Sequence, residues 1–153
     1  MSRPPAFEIL PIDRLHAHEA TDPSAVANLR GEMLRTGVFA EPIWVARGSY
    51  VILNGHHRWE ALRALGGRRI PAWVFDYLED EEIRLDRWNA GPPISKSEVV
   101  RAAVQGRRFP IKTTRHRLAH SLPTRSTPLT ELFDGPVPDA ALPKGRSRAA
   151  SQT

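Results

Sequence analysis

The chain has 153 residues, with 22 Lys and Arg against 17 Asp and Glu, for a formal net charge of +5. A hydrophobic fraction of 41% and a charged fraction of 25% are ordinary for a globular protein, and the length suits one domain with a real core. Cysteine is absent, which excludes disulfides, thiolate catalysis and zinc–thiolate sites and fits a reducing cytoplasm. No apolar run approaches a membrane span, and Met1-Ser2-Arg3-Pro4-Pro5 lacks the apolar core of a signal peptide. The positive charge is spread without a long basic run, so it suits an enzyme that handles nucleotides as well as a nucleic-acid binder.

In chain order, Phe7 to Ile12 reads as a first strand, with Pro11 near its end. A loop rich in titratable groups follows, from Asp13 to Ala20. Asp22-Pro23 is a helix start, with Asp22 as N-cap and Pro23 at the first helical position; Val26, Leu29, Met33 and Leu34 mark its buried face and Gly37 closes it. Pro42 to Ala46 and Tyr50 to Leu53 are strands joined by the turn Arg47-Gly48-Ser49, an antiparallel hairpin. A helix from His56 to Leu65 precedes a strand at Ile70 to Phe75, whose Pro71 places its start at an edge or end. The predicted order is βαββαβ, a small mixed α/β sheet layered with helices. Further on, the acidic run Glu79 to Glu82 reads as a solvated helix start, with Ile83, Leu85 and Trp88 behind it. Ser95-Lys96-Ser97-Glu98 is a capping box that opens a helix running to Gly106. Phe109 to His116 is a polar, basic segment that begins extended. The domain is expected to occupy 1–120, and the proline-rich stretch 121–153 is expected to be mostly disordered.

The stretch with the strongest chemical signal is Val51-Ile52-Leu53-Asn54-Gly55-His56-His57-Arg58. A strand runs into a glycine turn, and the helix that follows carries basic side chains in its first turn. Helix N-termini present free N–H groups and the positive end of the dipole, so a phosphate is the natural ligand; a solvated surface helix is an equally good reading of this stretch alone. Glu19 is a lone carboxylate in a basic neighbourhood, placed to accept a proton from an attacking hydroxyl if it faces the phosphate site, and otherwise a surface glutamate. Lys112-Thr113-Thr114-Arg115-His116 offers cations and hydroxyls suited to a carboxylate or phosphate, or else begins a flexible tail. A metal site of His16, His18, His56 and His57 is disfavoured, because adjacent helical side chains diverge by about 100°. His16 and His18 therefore read as ordinary loop residues.

The run Asn54-Gly55-His56-His57-Arg58-Trp59-Glu60-Ala61-Leu62 resembles the (D)GHHR-x-E-A-L signature of the ParB/sulfiredoxin-like superfamily, and the predicted element order resembles that fold, followed by C-terminal helices. Within it, Leu15-His16-Ala17-His18-Glu19, Ile83 to Trp88 and Phe109 to His116 make the chain most similar to the free L-serine kinases. The resemblance implies phosphoryl transfer from ATP or ADP, with Mg2+, to the hydroxyl of free L-serine or a related hydroxy amino acid. It also implies Glu19 as catalytic base and Gly55, His56, His57 and Arg58 as phosphate-binding residues. Trp88 and the segment Lys112, Thr113, Thr114, Arg115 and His116 would form the amino-acid pocket. Asn54 departs from the family's usual aspartate and keeps one acceptor oxygen without the charge, so its support of metal or base is in question. A sulfiredoxin would need a cysteine at the corresponding motif, and none is present. The alternative function is a nucleotide-binding, ParB-like DNA-binding or regulatory protein, although too little chain follows for the helix-turn-helix domain of the DNA clamps.

Overall fold

The computed structural model describes residues 3–138. Its elements are β1 (Ala6–Pro11), α1 (Pro23–Thr36), β2 (Val38–Phe39), β3 (Ile43–Ala46), β4 (Ile52–Asn54), α2 (His56–Leu65), β5 (Arg69–Phe75), β6 (Ile83–Arg87), α3 (Lys96–Val104), β7 (Thr114–Leu118) and β8 (Thr127–Pro128). Four of the strands form a mixed sheet in the order β1-β5-β3-β4, with β3 and β5 parallel and both outer pairs antiparallel. The expected βαββαβ order and mixed sheet are therefore present. Pro71 lies in the central strand β5 but pairs only with Ile9 of β1, since the ladder to β3 begins at Ala72. A residue without an N–H is tolerated there because no β3 partner needs one.

Side chains alternate across a strand, and this alternation builds two cores. Ile43, Val45, Ile52, Ile70, Ala72 and Val74 face α1 and α2, where they meet Val26, Met33, Trp59 and Leu62. The intervening residues Ala46, Val51, Leu53, Trp73 and Phe75 face the other way and meet Ile83, Val99 and Ala103 of β6 and α3. Helix α1 begins as expected, with the Asp22 side chain accepting from Ser24 N, and ends on Gly37 in the left-handed region. The capping box of α3 is also formed, with Glu98 N donating to Ser95 Oγ and Ser95 N to the Glu98 side chain.

Two expectations are corrected. The run after Glu79 is not helical: Asp80 accepts from Glu82 N at 2.9 Å, closing a local turn, and Ile83–Arg87 then forms a strand paired antiparallel with β7. The apolar–polar alternation of Ile83-Arg84-Leu85-Asp86 is a period-two signal, and a partner strand was available to satisfy it. Among the described residues, α3 and a short 3-10 helix at Leu129–Glu131 follow β5. The domain also does not end at 120. β8 pairs with β2, and Leu129, Leu132 and Phe133 are buried in the helix-side core. The rest of the expected tail, 139–153, lies outside the described residues.

Three buried histidines fill the space where β4, the α2 start and β7 converge. The His18 ring lies 4.6 Å from that of His56 and 5.8 Å from that of His116, centroid to centroid, edge to face. Burial pushes His18 down to about 4 and His116 to about 3, the latter helped by neighbouring positive charge, and holds His56 well below the usual imidazole range.

Two outcomes are expected. Leu132 is fully buried, so Leu132→Ala should cost about 2–5 kcal/mol in urea unfolding, whereas a wild-type midpoint would place this segment outside the cooperative unit. The histidines, with an ordinary value of 6.5, take up protons in the unfolded chain before the folded one does. Their stabilising contribution is thus complete above about pH 6.5 and drains away as the pH falls toward 4, on the order of 3 kcal/mol for His18. A urea midpoint that stays level across that interval would contradict the buried, neutral state.

Candidate active site

The strand–turn–helix formed by β4, Gly55 and α2 sets one wall of a cavity of about 300 Å3. Gly55 has φ 104°, and a Cβ there would sit 2.9 Å from Ile43 Cβ, so both backbone angle and space demand glycine. Gly55 brings no capping side chain, and the first helical bond runs from Trp59 N to Gly55 O. The amides of His56, His57 and Arg58 precede it, so the helix start offers its donors to an anion.

His56 and His57 both line the cavity, and each spends Nε2 as an acceptor. His56 Nε2 accepts from His18 N at 3.1 Å, and His57 Nε2 accepts from Asp22 N at 3.0 Å. A ring nitrogen that accepts carries no proton, so the neutral rings hold theirs on Nδ1. His56 is thus a neutral donor rather than the cation a basic cluster suggests. Arg58 does not line the cavity. Its Nη1 donates to the carbonyls of Glu41 (2.6 Å) and Pro42 (3.0 Å), which pins the start of α2 to the approach of β3. Asn54, at the end of β4, does line the cavity, and its Oδ1 has only a long 3.5 Å contact from Arg58 Nη2.

The opposite wall carries Glu19, 9% exposed. Its loop joins the segment before β7 through Phe109 N to His18 O (2.7 Å) and Ala20 N to Phe109 O (2.9 Å). Glu19 Oε1 accepts from Thr114 N (2.9 Å) and Thr114 Oγ1 (2.6 Å), and Oε2 accepts from Lys112 N (3.0 Å). Lys112 adopts φ 58°, a left-handed conformation that is costly for a lysine; such strain persists where surrounding contacts demand it, here the bond to Glu19. The Lys112 and Arg115 side chains line the cavity with Trp88, whose ring packs under the Arg115 guanidinium at 4.5 Å.

Most of the residues picked out from the sequence therefore meet in one cavity, with two departures besides Arg58. Thr113 turns its hydroxyl to Pro110 O at 2.6 Å, outside the cavity lining. His116 lines the floor, but its Nε2 is engaged at 2.7 Å by Tyr77 OH, a phenol that burial keeps protonated. Sequence reasoning missed His18, which is fully buried and bonded to Thr114 Oγ1 at 2.8 Å, and it missed Tyr77. The one signal for His18 was its place immediately before Glu19. Among the described residues, no group of three or more His, Cys, Asp or Glu side chains is arranged to hold a metal ion directly.

Comparison with known proteins follows this geometry. Residues 7–87 match the ParB N-terminal domain. An ATP-dependent L-serine kinase of Staphylothermus marinus is 33% identical over 84 residues, 52% of this chain and 33% of that protein. The ADP-dependent L-serine kinase SerK of Thermococcus kodakarensis is 27% identical over 86 residues, 54% of this chain and 35% of that one. The matched segment thus spans about a third of these relatives' length. A solved free serine kinase in complex with AMP superposes with a TM-score of 0.74 at 16% identity, over 86% of this chain and 95% of that one, a likeness of fold. With more than half of its length matched, and the helix start of that fold forming its cavity wall, this chain belongs to the ParB N-terminal domain family.

Proposed function

We propose that the chain is a nucleotide-dependent kinase of free L-serine, or of a related hydroxy amino acid, forming O-phosphoserine from ATP or ADP. The observation that carries this reading is a carboxylate and an uncapped helix N-terminus facing one cavity, which is of a size for a small substrate beside a phosphate chain. The serine kinase names of the relatives at 33% and 27% identity point the same way. Phosphoryl transfer asks mainly for positioning, charge neutralisation and a proton acceptor, and this cavity offers each.

The phosphates would lie against the amides at the start of α2 and the Nδ1–H groups of His56 and His57. Lys112 and Arg115 add positive charge from the other wall, suited to the substrate carboxylate, with Trp88 beside them. The serine oxygen bonds to phosphorus, the bond from phosphorus to the nucleotide's bridging oxygen breaks, and the shortened nucleotide leaves with that electron pair. The hydroxyl proton passes to Glu19. Magnesium, when bound, neutralises phosphate charge. It keeps most of its waters and needs few protein oxygens, and Asn54 Oδ1, free of any short bond, is the donor this chain would supply.

The DNA-binding alternative draws less support. Arg3, Arg47, Arg63, Arg68, Arg69 and Arg117 each lie within ion-pair distance of an Asp, so part of the basic charge is locally matched. No helix among the described residues is long and apolar enough to cross a membrane. Nucleotide-dependent chemistry in a cysteine-free chain suits the cytoplasm.

Two experiments test the reading. Purified protein with ATP or ADP, magnesium and serine should yield O-phosphoserine by 31P NMR, and Glu19→Gln should lower kcat by about 10²–10⁴-fold while nucleotide affinity stays near wild type. Equal turnover in Glu19→Gln, or none in the wild type on serine, threonine or homoserine, rejects it. Asn54→Asp restores a charged oxygen, so it should lower the magnesium concentration needed for half-maximal rate; an unchanged or raised requirement would remove Asn54 from the metal-supporting role.

A further inference from the structure

The Glu19 carboxylate is held by a chain of bonds that continues past Thr114 into the core. Thr114 Oγ1 lies 2.6 Å from Glu19 Oε1 and 2.8 Å from His18 Nε2. A hydroxyl has one proton, and an ionised carboxylate can only accept. The Thr114 proton must therefore point to Glu19, and the bond from His18 requires Nε2–H. The ring is fully buried, packed edge to face against His56, Phe109 and His116, and burial keeps it neutral. It cannot turn to offer a different nitrogen without displacing that packing.

We propose that His18 is a positioning residue for the base: its Nε2–H fixes the Thr114 hydroxyl as a donor to Glu19 Oε1, which makes Oε2 the atom that takes the substrate proton. This rests on the reading of Glu19 as the base. With two donors on Oε1, both lone pairs of that oxygen are occupied; Oε2 has only the Lys112 amide and keeps one free. A proton on Oε1 would leave the Thr114 hydroxyl proton without an acceptor, since His18 Nε2 already carries one. The substrate O–H bond therefore breaks as the Oε2–H bond forms, and the proton leaves later through the cavity mouth. His18 does not relay it, because Nε2 is already protonated.

The test pairs kinetics with a measurement that needs no turnover. His18→Leu removes the donor, His18→Gln supplies an N–H at nearly the Nε2 position, and Thr114→Val removes the hydroxyl while keeping the shape. His18→Leu should lower kcat by about 10- to 100-fold with the KM for nucleotide little changed, and His18→Gln should recover most of it. Because both groups act through one hydroxyl, the double variant His18→Leu/Thr114→Val should be no slower than Thr114→Val alone. Nitrogen-15 NMR of the histidine rings in the ligand-free wild type should show His18 as the Nε2–H tautomer, with that proton's slow exchange lost in Thr114→Val. An Nδ1–H tautomer, fully additive losses, or His18→Gln as slow as His18→Leu would overturn the proposal. Should the wild type phosphorylate no hydroxy amino acid, the kinase reading falls, while the tautomer still decides whether His18 orients Thr114.

Discussion

The backbone N–H groups of His18 and Asp22 end on the Nε2 atoms of His56 and His57, and these two bonds register the loop that carries Glu19 against the start of α2. Phosphoryl transfer tolerates little error between the group that holds phosphate and the group that removes a proton. In the proposed reaction that distance would be set by the imidazoles of the α2 wall, which accept from the carboxylate wall. The segment before β7 is tied in by Glu19 itself, which collects three donors from Lys112 and Thr114. The cavity is thus where three chain segments, far apart in sequence, satisfy one another's polar groups. Such groups are costly to bury alone and specific when paired.

This division of labour explains why a cluster rich in basic residue types is less cationic than it reads. His56 and the neighbouring His18 and His116 are kept neutral by burial, and Arg58 is turned to backbone carbonyls. The cations that line the cavity are Lys112 and Arg115, on the wall opposite α2. Charge on that side and amide dipoles on the other suit a ligand with a phosphate at one end and a carboxylate at the other.

Local signals carried much of this into the sequence. Asp22-Pro23 and Gly37 bound α1, and the Ser95–Glu98 capping box opens α3, because caps act within a few residues. Unbroken apolar runs marked β3 and β5. The period-two alternation of Ile83 to Asp86 follows an acidic run that resembles a helix start, and its strand depends on a partner thirty residues on. For the site, residue types and places were legible at Glu19, Gly55, His56 and Trp88. What could not be read was how each polar atom is spent: Arg58 and Thr113 satisfy carbonyls brought near only by folding. His18 looked like a loop residue because its burial comes from β7 and α2, neither of which is local.

The late segment ending at Phe133 bears on how the chain comes off the ribosome. The helix-side core is assembled from residues as early as Leu10 and Ile12, yet Leu129 and Leu132 are part of it, and Arg68 N and Arg69 N both donate to Leu132 O. During synthesis, β1 to β5 can pair and pack on α1 and α2 once residue 75 has emerged, but the part of this core that Leu129, Leu132 and Phe133 cover stays open for nearly sixty further residues. A nascent chain in that interval exposes the kind of surface that recruits holding chaperones or sticks to its neighbours. Completion of folding is therefore timed by translation through residue 133, well after the last cavity-lining residue has been made.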